Sequence, residues 1–162
     1  MKKILMLIML IVTIGCSEQN IEVGDLSING EIAKNYIESK GYEVVAFEKE
    51  EQVIFAKEDM SILPHQQFWS VQTIEPDDYL NKELTTIDFL VRNHPLSNQY
   101  ESDKARISII LNDNEVIGGT SYPYSKEPLV GVGYSLDGKT AEEVKGDYSE
   151  WLIDWKAKYG TK

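Results

Sequence analysis

Cysteine is nearly absent from this chain of 162 residues: Cys16 is the only one. No disulfide can form within the monomer, so hydrophobic burial must hold the fold. There are only two histidines, His65 and His94. Structural zinc sites draw on several Cys or His ligands, so the sequence predicts no metal centre. Arginine is equally sparse, with Arg92 and Arg106 alone. The bidentate fork that grips phosphates is therefore scarce. Lys and Arg together number 16 against 27 acidic residues, a net charge of −11. Such a surface repels nucleic acid, whose binding depends on cations neutralising phosphates. It also opposes adsorption to anionic lipid heads. A long hydrophobic run is missing too. The longest, Ile4–Ile14, has eleven residues including Thr13, whereas a spanning helix needs about 20.

That short run is nevertheless the most informative segment present. Lys2 and Lys3 precede it, and Gly15-Cys16 closes it. A basic start, an apolar stretch and a small residue before a cut are the layout of an export signal. Val12-Thr13-Ile14-Gly15-Cys16 resembles the lipobox, where a signal peptidase cuts between Gly15 and Cys16 after diacylglycerol is attached to the Cys16 thiol. Thr13 departs from the leucine usual at its place. An uncleaved membrane anchor and a plain secretory signal are the alternatives. The first is too short, and the second lacks the Ala-x-Ala pattern. The expected organisation is a lipoprotein signal over residues 1–15, a lipidated Cys16 with a flexible tether over 16–28, and one globular domain over 29–162. Each acyl CH₂ buried in lipid contributes about 0.8 kcal/mol, so two chains on one glycerol hold a soluble domain firmly. Removal of the signal takes two basic residues and no acidic one, which lowers the net charge to −13 over 147 residues. That length suffices for one well-packed core.

Periodicity predicts the elements. Asn29 is a candidate helix cap, with Ile32, Ala33, Tyr36 and Ile37 as one stripe and Gly41 as the left-handed stop. Segments 42–47 and 52–57 read as strands around a charged turn at Glu48–Glu51. Phe68–Ile74 and Thr86–Val91 read as further strands. Ile107, Ile109 and Leu111 alternate before Asn112-Asp113-Asn114, a hairpin signal leading to Val116 and Ile117. Val130, Val132, Tyr134 and Leu136 would line another strand. Tyr148, Trp151, Leu152, Trp155 and Tyr159 share one arc of a final helix. Helix, strands, then helix argue an α+β fold. The expectation is an antiparallel sheet of about five to seven strands, covered on one face by the N- and C-terminal helices.

Several motifs invite chemistry. Gly133-Tyr134-Ser135-Leu136-Asp137-Gly138-Lys139-Thr140 fits the P-loop pattern, but Asp137 would set a carboxylate against the phosphates and Gly146 breaks the following helix early. A turn at Asp137-Gly138, with Thr140 capping a helix and Glu143 returning the bond, explains the residues better. Gly133-Tyr134-Ser135-Leu136-Asp137 misses the hydrolase elbow by the glycine that Asp137 replaces. Asn112-Asp113-Asn114-Glu115 lacks the ligand spacing of a calcium loop. Trp151 and Trp155 read as core on the helix stripe, and Trp69 is placed in a strand. Gly118, Gly119, Gly131 and Gly133 form either a bald face on which the Trp-bearing helix packs or a shallow groove.

Gly41-Tyr42-Glu43-Val44, Val91-Arg92-Asn93-His94-Pro95 and Val116-Ile117-Gly118-Gly119 together resemble a family of small Gram-positive lipoproteins of unknown function. In that family a helix leads into a GWEV-like strand, a later strand ends in Asn-aromatic-Pro, and a hairpin ends in Ile-Gly-Gly. Tyr42 and His94 stand where the family has tryptophan and an aromatic. The resemblance implies no catalytic residues to carry over. The function expected is a non-catalytic binding or accessory role at the cell envelope. The domain would be anchored at the extracytoplasmic face through diacylglycerol on Cys16, with no cofactor and no nucleotide. Its partner would be an envelope protein with a basic surface. The alternatives are an envelope hydrolase with a spatially assembled site, and an inhibitor- or chaperone-like domain that uses a sheet edge.

Overall fold

The structure, a computed structural model, describes residues 26–97, 99, 102–125, 131 and 133–160. The expected signal, Gly15, Cys16, nearly all of the tether, and Val130 and Val132 lie outside the described residues. Five antiparallel strands run in sequence order across one sheet: β1 (Glu43–Ile54), β2 (Glu83–Arg92), β3 (Ala105–Asn112), β4 (Glu115–Pro123) and β5 (Tyr134–Ser135). Helix α1 (Ile28–Ser39) precedes the sheet. Helix α2 (Leu63–Ser70) lies between β1 and β2, and α3 (Ala141–Lys145) and α4 (Tyr148–Tyr159) follow β5. The fold is α+β with helices before and after an antiparallel sheet, and the strand count falls at the low end of the expected range.

The alternation of each strand divides the apolar residues between two cores. Ile87, Phe89 and Val91 of β2 and Ile107, Ile109 and Leu111 of β3 share one face, where Ala33 and Ile37 of α1 cover them. Leu84 and Ile110, of the other parity, face Phe55, Met60, Trp69, Trp155 and Tyr159 on the opposite side. Period-two strands require this split. It corrects the expectation of helices on a single face: α1 packs on one side of the sheet, while α2 and α4 contribute to the core on the other.

Several elements differ from their sequence reading. The two short strands expected around Glu48–Glu51 are one continuous strand, β1, paired with β2 from Glu43↔Arg92 to Ile54↔Glu83. Register shifts between Val44 and Ala46 and between Phe47 and Lys49 accommodate an extra residue each. The charges do not break the strand because they stand on exposed faces or find cross-strand partners, as Glu48 does with Arg106. Phe68–Ile74 is not a strand. Phe68 and Trp69 belong to α2, which opens with Pro64 in its first turn, where a missing N–H costs nothing. α1 starts at Ile28, and Ser27 is its cap, accepting a hydrogen bond from Gly30 N–H at 2.9 Å, so Asn29 lies inside the helix. Gly41 does take the left-handed position, φ +86°. The 112–115 hairpin has Asp113 and Asn114 both at positive φ, the signature of a type I′ turn. Thr140 and Glu143 form the reciprocal capping box at the start of α3.

Candidate functional site

The half of the second sheet face not covered by α2 and α4 is a concavity of about 730 Å³. Its floor alternates polar residues. Thr86 and Asp88 come from β2, Arg106 and Ser108 from β3, and Thr120 and Tyr122 from β4. Phe68 of α2 forms part of its wall, stacked on the buried Phe55 at 5.1 Å between ring centroids. These strand residues share a face because the registers Asp88↔Ser108, Arg106↔Tyr122 and Ser108↔Thr120 place them side by side.

The charges in this floor are paired. Arg106 grips Glu48 through two N–H groups, Nε at 2.5 Å and a terminal nitrogen at 2.9 Å. That is the fork geometry guanidinium favours. Asp88 lies 3.7 Å from Lys49, which also bonds Glu51 at 2.5 Å. Burial lifts the Asp88 carboxyl above its usual range, against the opposing pull of Ser108 and Lys49. The Arg106 guanidinium is shifted upward, chiefly by its hydrogen bond to Glu48.

A second cavity, of about 260 Å³, lies among α1, β4 and the loop after β5. Gln72 controls it. Its side-chain Nε2 donates to Gly119 O at 2.9 Å, and its Oε1 accepts from Gly119 N–H at 3.0 Å. The amide thereby continues the sheet where β5 turns away. A Cβ on Gly118 would come within 2.4 Å of the Gln72 amide oxygen, and one on Gly119 within 2.2 Å of the Ser108 carbonyl. Gly133 meets the Tyr122 ring, and Gly131 has nothing within 4 Å of the place its Cβ would take. The four glycines are thus neither a single bald face under the Trp-bearing helix nor one groove. Two of them admit Gln72 and the neighbouring strand.

The P-loop-like segment is a closed turn. Gly138 N–H donates to Ser135 O at 2.9 Å, Lys139 N–H to Ser135 Oγ at 3.0 Å, and Thr140 N–H to Glu143 at 2.8 Å. Four backbone donors of the segment, those of Ser135, Gly138, Lys139 and Thr140, are thus engaged within the turn. Asp137 points toward α1, where Lys40 lies at 3.4 Å and the Tyr42 hydroxyl donates at 3.3 Å. That carboxylate and burial push the Tyr42 phenol up to about 12, burial being the larger cause.

The two histidines serve the backbone. His65 Nδ1 donates to Asp59 O at 3.1 Å. His94 Nε2 donates to Leu136 O at 2.8 Å, and its Nδ1 accepts from Leu96 N–H at 3.1 Å. The ring nitrogens of His94 are both occupied, so it is no base for Ser135, whose Oγ accepts from Lys139. Among the described residues no three His, Cys, Asp or Glu side chains converge to hold a metal ion, and no helix is long and apolar enough to cross a membrane. Trp69 and Trp155 are 1% and 4% exposed, so neither offers a face for stacking. The concavity at Asp88 and Arg106 went unnoticed in the sequence. Its signal was the run of polar residues at alternate positions of β2 and β3, legible only once the registers are known. No protein-family model, curated protein or solved structure matches the chain.

Proposed function

We propose that this chain is a lipid-anchored, non-catalytic recognition domain on the extracytoplasmic face of the membrane. Its recognition surface is the open half of the second sheet face. The single observation that carries the reading is the incomplete cover of that face: α2 and α4 bury one end, and a polar concavity of about 730 Å³ occupies the other. Binding sites favour concave surfaces with a few convergent polar groups. The anchor rests on Lys2, Lys3, the short apolar run and Gly15-Cys16. The mature charge of −13 would keep anionic partners away from the domain.

Thr86→Arg fills the concavity without entering either core. A component co-purified with the full chain from detergent-solubilised membranes should be lost on Thr86→Arg. Identical recovery, or none with either protein, counts against the reading. Cys16→Ser tests the anchor separately, and should move the protein from the membrane fraction to the soluble one.

A hydrolase is the second reading, favoured by the raised carboxyl of Asp88 in a concave site. It predicts an activity on envelope polymers that Asp88→Asn abolishes. The edge-strand reading draws on β1, a strand of twelve residues at the sheet margin. Its two register shifts and its five charged residues are devices that discourage a further strand from pairing there.

A further inference from the structure

We propose that the open half of the second sheet face binds a neutral saccharide. The assignment rests on the reading of that face as the recognition surface, and it names the ligand class.

Charge comes first. Each ionised group in the floor already has a partner of opposite sign: Arg106 with Glu48, and Asp88 and Glu51 with Lys49. An anionic ligand would meet three carboxylates and would have to take Arg106 from a two-point grip. A polycation would face Arg106 and Lys49. A neutral ligand disturbs neither pair.

The unused bonding capacity fits hydroxyl groups. A guanidinium carries five N–H donors, and Glu48 takes one at Nε and one at a terminal nitrogen, which leaves donors over. The Asp88 carboxylate can accept about four hydrogen bonds, and Ser108 and Lys49 are its neighbours in the protein. The Thr86 hydroxyl donates to Glu51 O at 3.3 Å and the Ser108 hydroxyl to Asp88, so each keeps acceptor capacity for a ligand hydroxyl. Cross-strand neighbours stand about 5 Å apart, so donors and acceptors alternate across the floor on the scale of a sugar ring. Adjacent ring hydroxyls of a saccharide can bridge two atoms of one carboxylate or one guanidinium, each hydroxyl giving and taking a bond. A half-buried carboxylate beside them gains hydrogen bonds that water supplies less well in a concave site.

The walls supply the other half of saccharide recognition. A sugar ring has an apolar C–H face that stacks on aromatic rings. Phe68 lines the concavity on the α2 side. Tyr122, 38% exposed, lines it on the β4 side. The volume lies within the range of about 300–1,000 Å³ found for small-ligand sites.

The test titrates the full chain in detergent micelles with cellotetraose, maltotetraose and N-acetylchitotetraose, by calorimetry and by saturation transfer to the sugar protons. At least one probe should bind with millimolar or tighter affinity. Tyr122→Ala and Asp88→Ala should each weaken it tenfold or more, about 1.4 kcal/mol. Tyr122 is a surface residue, so its variant should keep the wild-type melting temperature even if the Asp88 variant does not. Absence of binding by all three sugars, or binding that both variants leave unchanged, overturns the assignment. An oligolysine octapeptide is titrated in parallel. If it binds in a Tyr122-dependent way while the sugars do not, the ligand class falls and the surface stands. The membrane-extract comparison with Thr86→Arg tests the surface itself.

Discussion

Single residues here act mainly by giving the backbone partners that the sheet and helices leave out. Gln72 is the clearest case. Its amide pairs both backbone groups of Gly119, its own carbonyl accepts from Lys145 at 2.8 Å, and burial holds the Lys145 ammonium below its usual value. Gln72→Ala strands a buried N–H and C=O, a loss of about 2–4 kcal/mol in urea unfolding. Gln72→Glu should destabilise strongly at pH 7, because a carboxylate oxygen then faces the Gly119 carbonyl. It should recover in part below pH 5 as the carboxyl is protonated and donates again. Equal stability of this variant at both pH values would count against the clamp.

His94 works in the same manner, bridging the end of β2 to the loop after β5, with Tyr42 edge-on at 4.7 Å between ring centroids. Burial pushes its pKa down from 6.5, against the weaker pull of Leu136 O and Asp137. The sign follows directly: the unfolded chain takes up a proton first, so this contribution is complete above about pH 6.5 and is lost as pH falls toward the lowered folded value. Protonation would also break the Leu96 N–H bond to Nδ1. His94→Gln should flatten the slope of unfolding free energy between pH 7 and pH 5.5. An unchanged slope would mean that other groups set it. Asp88 acts in the opposite sense, since its raised carboxyl favours folding as the pH falls toward its unfolded value.

At the scale of elements, caps and cross-strand pairs decide where segments begin and whether they continue. The cap of α1 is Ser27, and Ser27→Ala should cost about 1 kcal/mol in denaturant unfolding, whereas Asn29→Ala should not reproduce a cap loss. Helix α4 carries a row of rings, Tyr148, Trp151, Trp155 and Tyr159, with centroids 5.6, 4.9 and 4.6 Å apart along it. Only the last two are buried, and Trp155 donates its indole N–H to Met60 O at 2.9 Å. Trp155→Ala should therefore cost about 3–5 kcal/mol, and Tyr148→Ala much less. Similar losses at both positions, read from thermal melts, would contradict the burial gradient. The row was legible from helical spacing alone. The continuity of β1 was not, because four charged residues among five, from Glu48 to Gln52, look like a turn until β2 is seen to pair Lys49 to Gln52 and Arg106 of β3 to hold Glu48 at the bulge. Nor was α2: Phe68, Trp69 and Val71 carry strand propensity, and their helix exists because its Phe and Trp rings fill a core against Phe55.

The molecule as a whole combines a strong negative charge with two small cores on opposite faces of one sheet. Mutual repulsion at a net charge of −11 should make the protein more stable as ionic strength rises from low values. Several exposed ion pairs, such as Arg92 with Asp103, weaken at the same time. The repulsion is the larger effect for so unbalanced a chain. Scanning calorimetry should show the melting temperature rising between 10 mM and about 150 mM salt, where the screening length shortens from about 30 to about 8 Å. A fall would mean that the surface pairs dominate.

The division between what sequence alone determines and what the fold decides follows the range of the forces involved. Local rules settle local features: the left-handed stop at Gly41, the hairpin turn at 112–114, the capping box of Thr140 and Glu143 and the stripe of α4 each depend on residues within about one turn of each other, and the α+β class follows from the order of such elements. The same holds for the export signal proposed at Cys16. Register, the sharing of helices between two faces, and the meeting of Asp88, Arg106, Ser108 and Tyr122 depend on residues tens of positions apart. Glu48 and Arg106 are 58 positions apart and Gln72 and Gly119 are 47, and nothing in either neighbourhood announces the other. Only the tertiary structure could bring them together, because burial of two apolar surfaces sets which strand edges meet, and polar partners follow from that choice.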